Sequence, residues 1–179
     1  MSAKLTLLPD AEVLLEITAD YGSNPMLMDE PAALEALADP IRLRQHESLV
    51  PLSSLAAART SRHDNWEDYA PAAYLPSETE GEAHSLITSA WRWHSTEPEV
   101  VFEMQKGKLH DVLLWTHDAA HPEAGPRWML LLAGDRSLPI SIQQTPWWRG
   151  WMAAAGAGGL ILLGAYFVSR NFTLRQRTL

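Results

Sequence analysis

Hydrophobic and polar residues alternate along much of the second half of the chain. In residues 83–94 (AHSLITSAWRWH), Ile87, Trp91 and Trp93 fall on one side of an extended chain. Leu86, Thr88 and Arg92 fall on the other. Period-two alternation is the mark of a strand with one buried face. Val100, Phe102 and Met104 alternate with Val101 and Glu103. Leu109, Leu113 and Trp115 continue the pattern beyond Lys106-Gly107, which reads as a hairpin turn. Residues 127–133 (RWMLLLA) form a short apolar run closed by Gly134-Asp135. Residues 137–143 (SLPISIQ) alternate again, and Pro139 points to a sheet edge. The pattern predicts four strands between 84 and 143, arranged as an antiparallel meander.

The first half supplies cover for the open face of such a sheet. Asp29 before Glu30-Pro31 is a helix start: a capping carboxylate followed by a proline tolerated in the first turn. Leu34 and Leu37 stripe that helix up to Asp39-Pro40. A second short helix is expected over the alanine-rich residues 54–62. Residues 4–8 and 12–18 read as strands that pair across Pro9-Asp10. The expected class is α+β, a small antiparallel β-sheet domain with one or two short helices over residues 1–146. A single C-terminal transmembrane helix over 147–170 and a short basic tail over 171–179 follow it.

The transmembrane expectation rests on residues 150–169 (GWMAAAGAGGLILLGAYFVS), twenty positions without a charge. At ~1.5 Å per residue a helix of that length spans ~30 Å, one hydrocarbon thickness. Trp147, Trp148 and Trp151 gather at its front, and Tyr166 and Phe167 lie near its end. Such aromatics belong at membrane–water interfaces. Arg149 and Arg170 flank the segment, placed to snorkel to head groups. The front of the helix carries Ala154/Gly158 and Ala155/Gly159, small residues four apart that stack on one face. Small residues let neighbouring helices approach closely, so this face is expected to pack laterally.

Charge divides the chain at the same place. Residues 1–148 hold all 22 acidic residues and ten of the 14 basic ones, a net −12 with His neutral. Arg170, Arg175 and Arg177 follow the apolar stretch, and the positive-inside bias would hold that tail in the cytoplasm. Against this, the N-terminal residues lack the basic start, unbroken apolar core and small-residue cleavage site of an export signal. The expected arrangement is a cytoplasmic domain on a tail anchor. A sequence pI of about 5.3 excludes a general nucleic-acid binder, which needs a basic face. The absence of Cys excludes disulfides, thiolate metal sites and a thiol nucleophile.

Residues 63–82 (HDNWEDYAPAAYLPSETEGE) combine six carboxylates, two prolines and no Lys or Arg with Trp66, Tyr69 and Tyr74. A stretch of this kind is either a solvated linker or an interaction surface. On the second reading Trp66, Glu67, Asp68, Tyr69, Tyr74, Glu78 and Glu80 meet a basic partner. His110, His117 and His121, with Asp111 and Asp118 beside them, are the metal-ligand candidates. On one strand His110 and His117 would point to opposite faces, and a polar hairpin loop explains them equally. No GxSxG elbow, GxGxxG or P-loop pattern is present, and no cofactor is expected.

Three functions follow as expectations. The first is a non-catalytic, single-pass accessory or assembly subunit of a membrane complex. Its helix docks on integral membrane proteins and its acidic domain clamps a neighbour. The second is a membrane-tethered sensor or regulator whose β domain binds a ligand or a protein. The third is a metal enzyme built on the three histidines.

Overall fold

The chain opens with a hairpin. Strand β1 (Ser2–Leu7) and strand β2 (Glu12–Asp20) pair antiparallel across a 3-10 turn at Pro9–Ala11, as the pattern predicts. Asp10 makes the turn at φ 59°, a left-handed conformation that Asp tolerates better than most residues. The computed structural model describes residues 1–22, 28–66, 84–119, 121, 123 and 125–142, all within one compact unit, Met1–Gln144.

Helix α1 (Glu30–Ala38) starts where expected. The Asp29 carboxylate accepts the Ala32 N–H at 2.9 Å, and Pro31 sits in the first turn. Its buried stripe differs from the predicted one. Ala33 and Leu37 turn inward, whereas Leu34 is 42% exposed. Residues four apart share a helix face more closely than residues three apart, and the small Ala33 lets the helix lie close to the sheet.

Strands β3 (Arg42–Gln45) and β4 (Ser48–Pro51) form a second hairpin. The expected helix over 54–62 is not formed. One 3-10 turn occupies Leu52–Ser54, and Arg59–His63 is strand β5. Alanine's helix propensity is only a weak preference. Here the edge of strand β6 (Leu86–His94) offers backbone partners, pairing Arg59 with Ala90 and His63 with Leu86.

Four more strands follow: β7 (Glu99–Glu103), β8 (Val112–Asp118), β9 (Arg127–Leu131) and β10 (Ile140–Ser141). Among the described residues five strands therefore lie between 84 and 143, one more than predicted. They do not form a meander. One sheet has the order β5-β6-β2-β1-β8-β9, the other β10-β7-β3-β4. Lys106-Gly107 is a turn, with Gly107 at φ 83°, but it joins β7 in one sheet to β8 in the other. β8 runs parallel to β1, Ser2 opposite Leu113, and pairs antiparallel with β9. Pro139 precedes β10, an edge strand, in keeping with its missing N–H.

The core explains the alternation. Leu5 of β1, Val13, Leu15 and Ile17 of β2, Trp91 of β6 and Leu114 of β8 are buried on one side of the larger sheet. Leu43 and Phe102 of the smaller sheet join them, with Ala33 and Leu37 of α1, in one contiguous apolar cluster. Each buried Leu or Ile of this set contributes ~1.5–3 kcal/mol by leaving water. The other face of the larger sheet is not wholly polar or wet. Leu86, Thr88, Thr18 and Trp115 are buried there as well. Two hydroxyls make this tolerable: Thr18 and Thr88 stand directly opposite and share a 2.7 Å hydrogen bond.

Candidate functional site

The residues picked out by sequence fall in three places. Trp66 is described and half-buried, while Glu67, Asp68, Tyr69, Tyr74, Glu78 and Glu80 lie outside the described residues. The flanks of that segment meet, His84 donating its N–H to the Asp64 carbonyl at 3.1 Å. The helix-packing set (Ala154, Ala155, Gly158, Gly159) also lies outside the described residues, as does the interfacial set (Trp147, Trp148, Arg149, Trp151, Tyr166, Arg170). No helix among the described residues is long and apolar enough to cross a membrane, and the predicted span itself lies beyond them.

The three histidines are described, and β8 holds them apart. His110 precedes the strand and faces a shallow hollow of about 260 Å³ against Ala32 and Ala36 of α1. His117 is on the strand opposite Thr6, and His121 follows it, its Nδ1 3.0 Å from the Asp118 carboxylate. A strand of this length covers ~20 Å, so His110 and His121 stand at opposite ends of it. Among the described residues no group of three His, Asp or Glu side chains converges as metal ligands would.

A different feature is made by the uneven lengths of β5 and β6. β5 pairs with β6 only from Leu86 to Ala90, so Trp91–His94 extend past it. The Ser95 N–H donates to the Ala11 carbonyl and the Ser85 carbonyl accepts from the Tyr21 N–H, both at 2.9 Å on the β2 side. Backbone groups of successive strand residues point to alternate sides. The odd residues of β6 therefore turn to β2, and the even ones turn to the β5 side. Arg92 and His94 present their N–H and C=O groups where β5 has already ended.

Beside this edge lies a groove of about 700 Å³. Ala57, Ala58 and Arg59 form one wall, and Arg92, Trp93 and His94 form the other. Glu12 and Leu14 of β2 extend its floor. Arg92 is ion-paired with Glu12 through its Nε and a terminal nitrogen. The side chains of Arg59 and His94 are exposed and make no hydrogen bond or ion pair with the described residues. The groove thus holds two arginines and a histidine against one carboxylate, in a domain that is acidic as a whole. Sequence reading missed it because Arg59 was expected on a helix, and because alternation does not tell where a neighbouring strand stops.

The smaller sheet carries the other charged constellation. Glu103 accepts from Arg44 at 2.6 Å and from Arg136 at 3.3 Å. The hydrogen bond from Arg44 does most to hold the Glu103 carboxyl below its ordinary pKa, and Arg136 adds to it. Nearby, Asp39 accepts from Arg42 at 2.9 Å and from Gln105 at 3.1 Å. These groups pair chiefly with one another, as in a structural network, although the buried Arg44 Nε has no hydrogen-bond partner among the described residues.

The fold and this groove define a two-sheet α+β domain with an open strand edge, a class of architecture and not an activity. No family model, curated protein or solved structure matches the chain.

Proposed function

We propose that this chain is a non-catalytic accessory or assembly subunit of a larger membrane protein complex, anchored by one transmembrane helix over residues 147–170. The observation that carries this reading is the uncharged twenty-residue stretch 150–169, flanked by Arg149 and Arg170 and fronted by three tryptophans. The geometry of the domain's exit supports a short tether. The Ile142 N–H donates to the Pro98 carbonyl at 2.8 Å, just before β7, which β10 pairs with. Only residues 143–149 separate that anchored point from the apolar stretch. A tether of this length suits a domain held against a neighbour better than one swinging to a distant target.

In this reading the domain lies on the cytoplasmic side and the basic tail crosses the bilayer. The small-residue face of the helix packs on integral membrane proteins. The acidic domain, repelled by an anionic bilayer, finds compensation on the basic surface of a partner, met by Trp66, Glu67, Asp68 and the carboxylates that follow. A second reading, a membrane-tethered sensor or regulator, draws its support from the open groove beside β6. Purification of the tagged full chain from its own membrane in mild detergent, with mass spectrometry of what accompanies it, separates the two. Stoichiometric integral membrane partners are the expected result. A lone monomer or homodimer would overturn the subunit reading in favour of the sensor.

A further inference from the structure

We propose that the open edge of β6 binds an extended acidic segment of a partner protein, which adds as a strand beside Arg92–His94. This inference stands on the described domain alone, so it survives or fails independently of the membrane anchor.

Three observations meet at this place. The first is backbone that no strand among the described residues pairs with on its outer side. β5 pairs with β6 no further than Ala90, and the alternation turns the N–H and C=O groups of Arg92 and His94 to the vacated side. A sheet edge with free backbone groups is a template for an incoming strand. The second is space. The groove of about 700 Å³ is lined by Arg92, Trp93 and His94 and, on the β5 side, by Ala57 and Ala58, side chains small enough to let a peptide backbone approach. The third is charge. Arg59, Arg92 and His94 line the groove and only Arg92 has an acidic partner among the described residues, Glu12.

Strand geometry makes the ligand more specific. Arg92 and His94 are two residues apart, so they project from the same face of the sheet. A guest strand in register places every second side chain on that face. Carboxylates at alternating positions would therefore meet Arg92 and His94, with Arg59 reaching the nearer one. The intervening positions turn to the apolar side, where Trp93 lies. The recognised pattern is acidic–apolar–acidic in an extended chain. A phosphate or lipid headgroup would engage the cations, but it would leave the backbone groups of the edge unpaired.

The test uses the full-length chain in mild detergent and a fluorescent peptide alternating valine and glutamate, read by polarisation. The expected results are saturable binding and a loss of about tenfold in affinity for Arg59→Glu, since reversing one charge at a partly desolvated pair is worth about 1.4 kcal/mol. Hydrogen exchange at the Arg92 and His94 amides should slow when the peptide is added. Two further arms use the unaltered protein, so they do not depend on the variant folding. N-methylation of alternate peptide amides should abolish binding, and a valine–lysine peptide should not bind. The proposal is overturned if the N-methylated peptide binds as well as its parent, or if the Arg92 and His94 amides exchange unchanged. It is equally overturned if vesicles containing phosphatidylserine occupy the groove while the peptide does not.

Discussion

Single residues carry more of this fold's electrostatics than their exposure suggests. Glu103 stands between Arg44 and Arg136 at the junction of β7 with the segment leading to β10. Its carboxyl titrates below the ordinary glutamate range because the Arg44 hydrogen bond favours the charged form. A depressed carboxyl stabilises the fold above its unfolded pKa of ~4.3 and loses that effect as pH falls through its lower, folded pKa. Glu103→Gln should therefore lower stability by about 1 kcal/mol at pH 7. In urea melts, the gap between the native protein and the variant should close as the pH is taken below ~4. A gap that stays constant down to pH 2 would show that packing, not charge, is lost. The cap at Asp29 was legible in sequence because capping is local chemistry. The Glu103 pair was not, because its partners lie 59 and 33 residues away.

At the scale of elements, alternation identified strands well and their neighbours poorly. The β1–β2 hairpin was readable because the loop is short, and a short loop leaves few alternatives. The stretch from β6 to β10 was not, because its strands take partners that are not their neighbours in the chain: β6 pairs with β2 and β5, β7 with β3 and β10, and β8 with β1 as well as β9. β6 also shows why a simple inside–outside pattern broke down. Its Ile87, Trp91 and Trp93 are inward as expected, but Leu86 and Thr88 are buried on the opposite face. The Thr18–Thr88 hydroxyl pair joins β2 to β6 in that second buried layer. Removing one hydroxyl leaves its partner buried without a mate, whereas removing both leaves two apolar groups in contact. Thr18→Val or Thr88→Val alone should each lower stability by about 1–2 kcal/mol, and the double variant by clearly less than the sum. Additive losses in thermal melts would show that each hydroxyl finds another acceptor. The groove beside β6 has the same origin as the failed meander. It exists because β5 is shorter than its neighbour, a fact of pairing that no residue of β6 announces.

At the scale of the whole molecule, the acidic domain and the apolar C-terminal stretch impose opposite demands on solvent, and the chain's lack of Cys offers a clean test of where each part sits. Leu109 is 91% exposed at the surface of the domain, so Leu109→Cys would place one reactive thiol there. If the domain is cytoplasmic, a membrane-impermeant maleimide should label this thiol only after lysis, and a Thr178→Cys variant in the tail should react in intact cells. The reverse pattern would place the domain outside and favour the positive-inside bias carried by Arg170, Arg175 and Arg177. What the sequence by itself determined is whatever depends on neighbours along the chain. That includes the inward faces of β6 and β7, the Asp29 cap, the Pro9-Asp10 hairpin and an uncharged stretch as long as a bilayer is thick, but not the face of β8, where Val112 and Leu114 turn to the core in place of Leu109 and Leu113. Only the tertiary structure decided which strands pair, that residues 59–63 extend instead of coiling, and where β6 is left open. Period marks where apolar side chains recur, and propensity only biases how a segment bends. The choice of partner belongs to distant segments competing for the same backbone groups and the same apolar face.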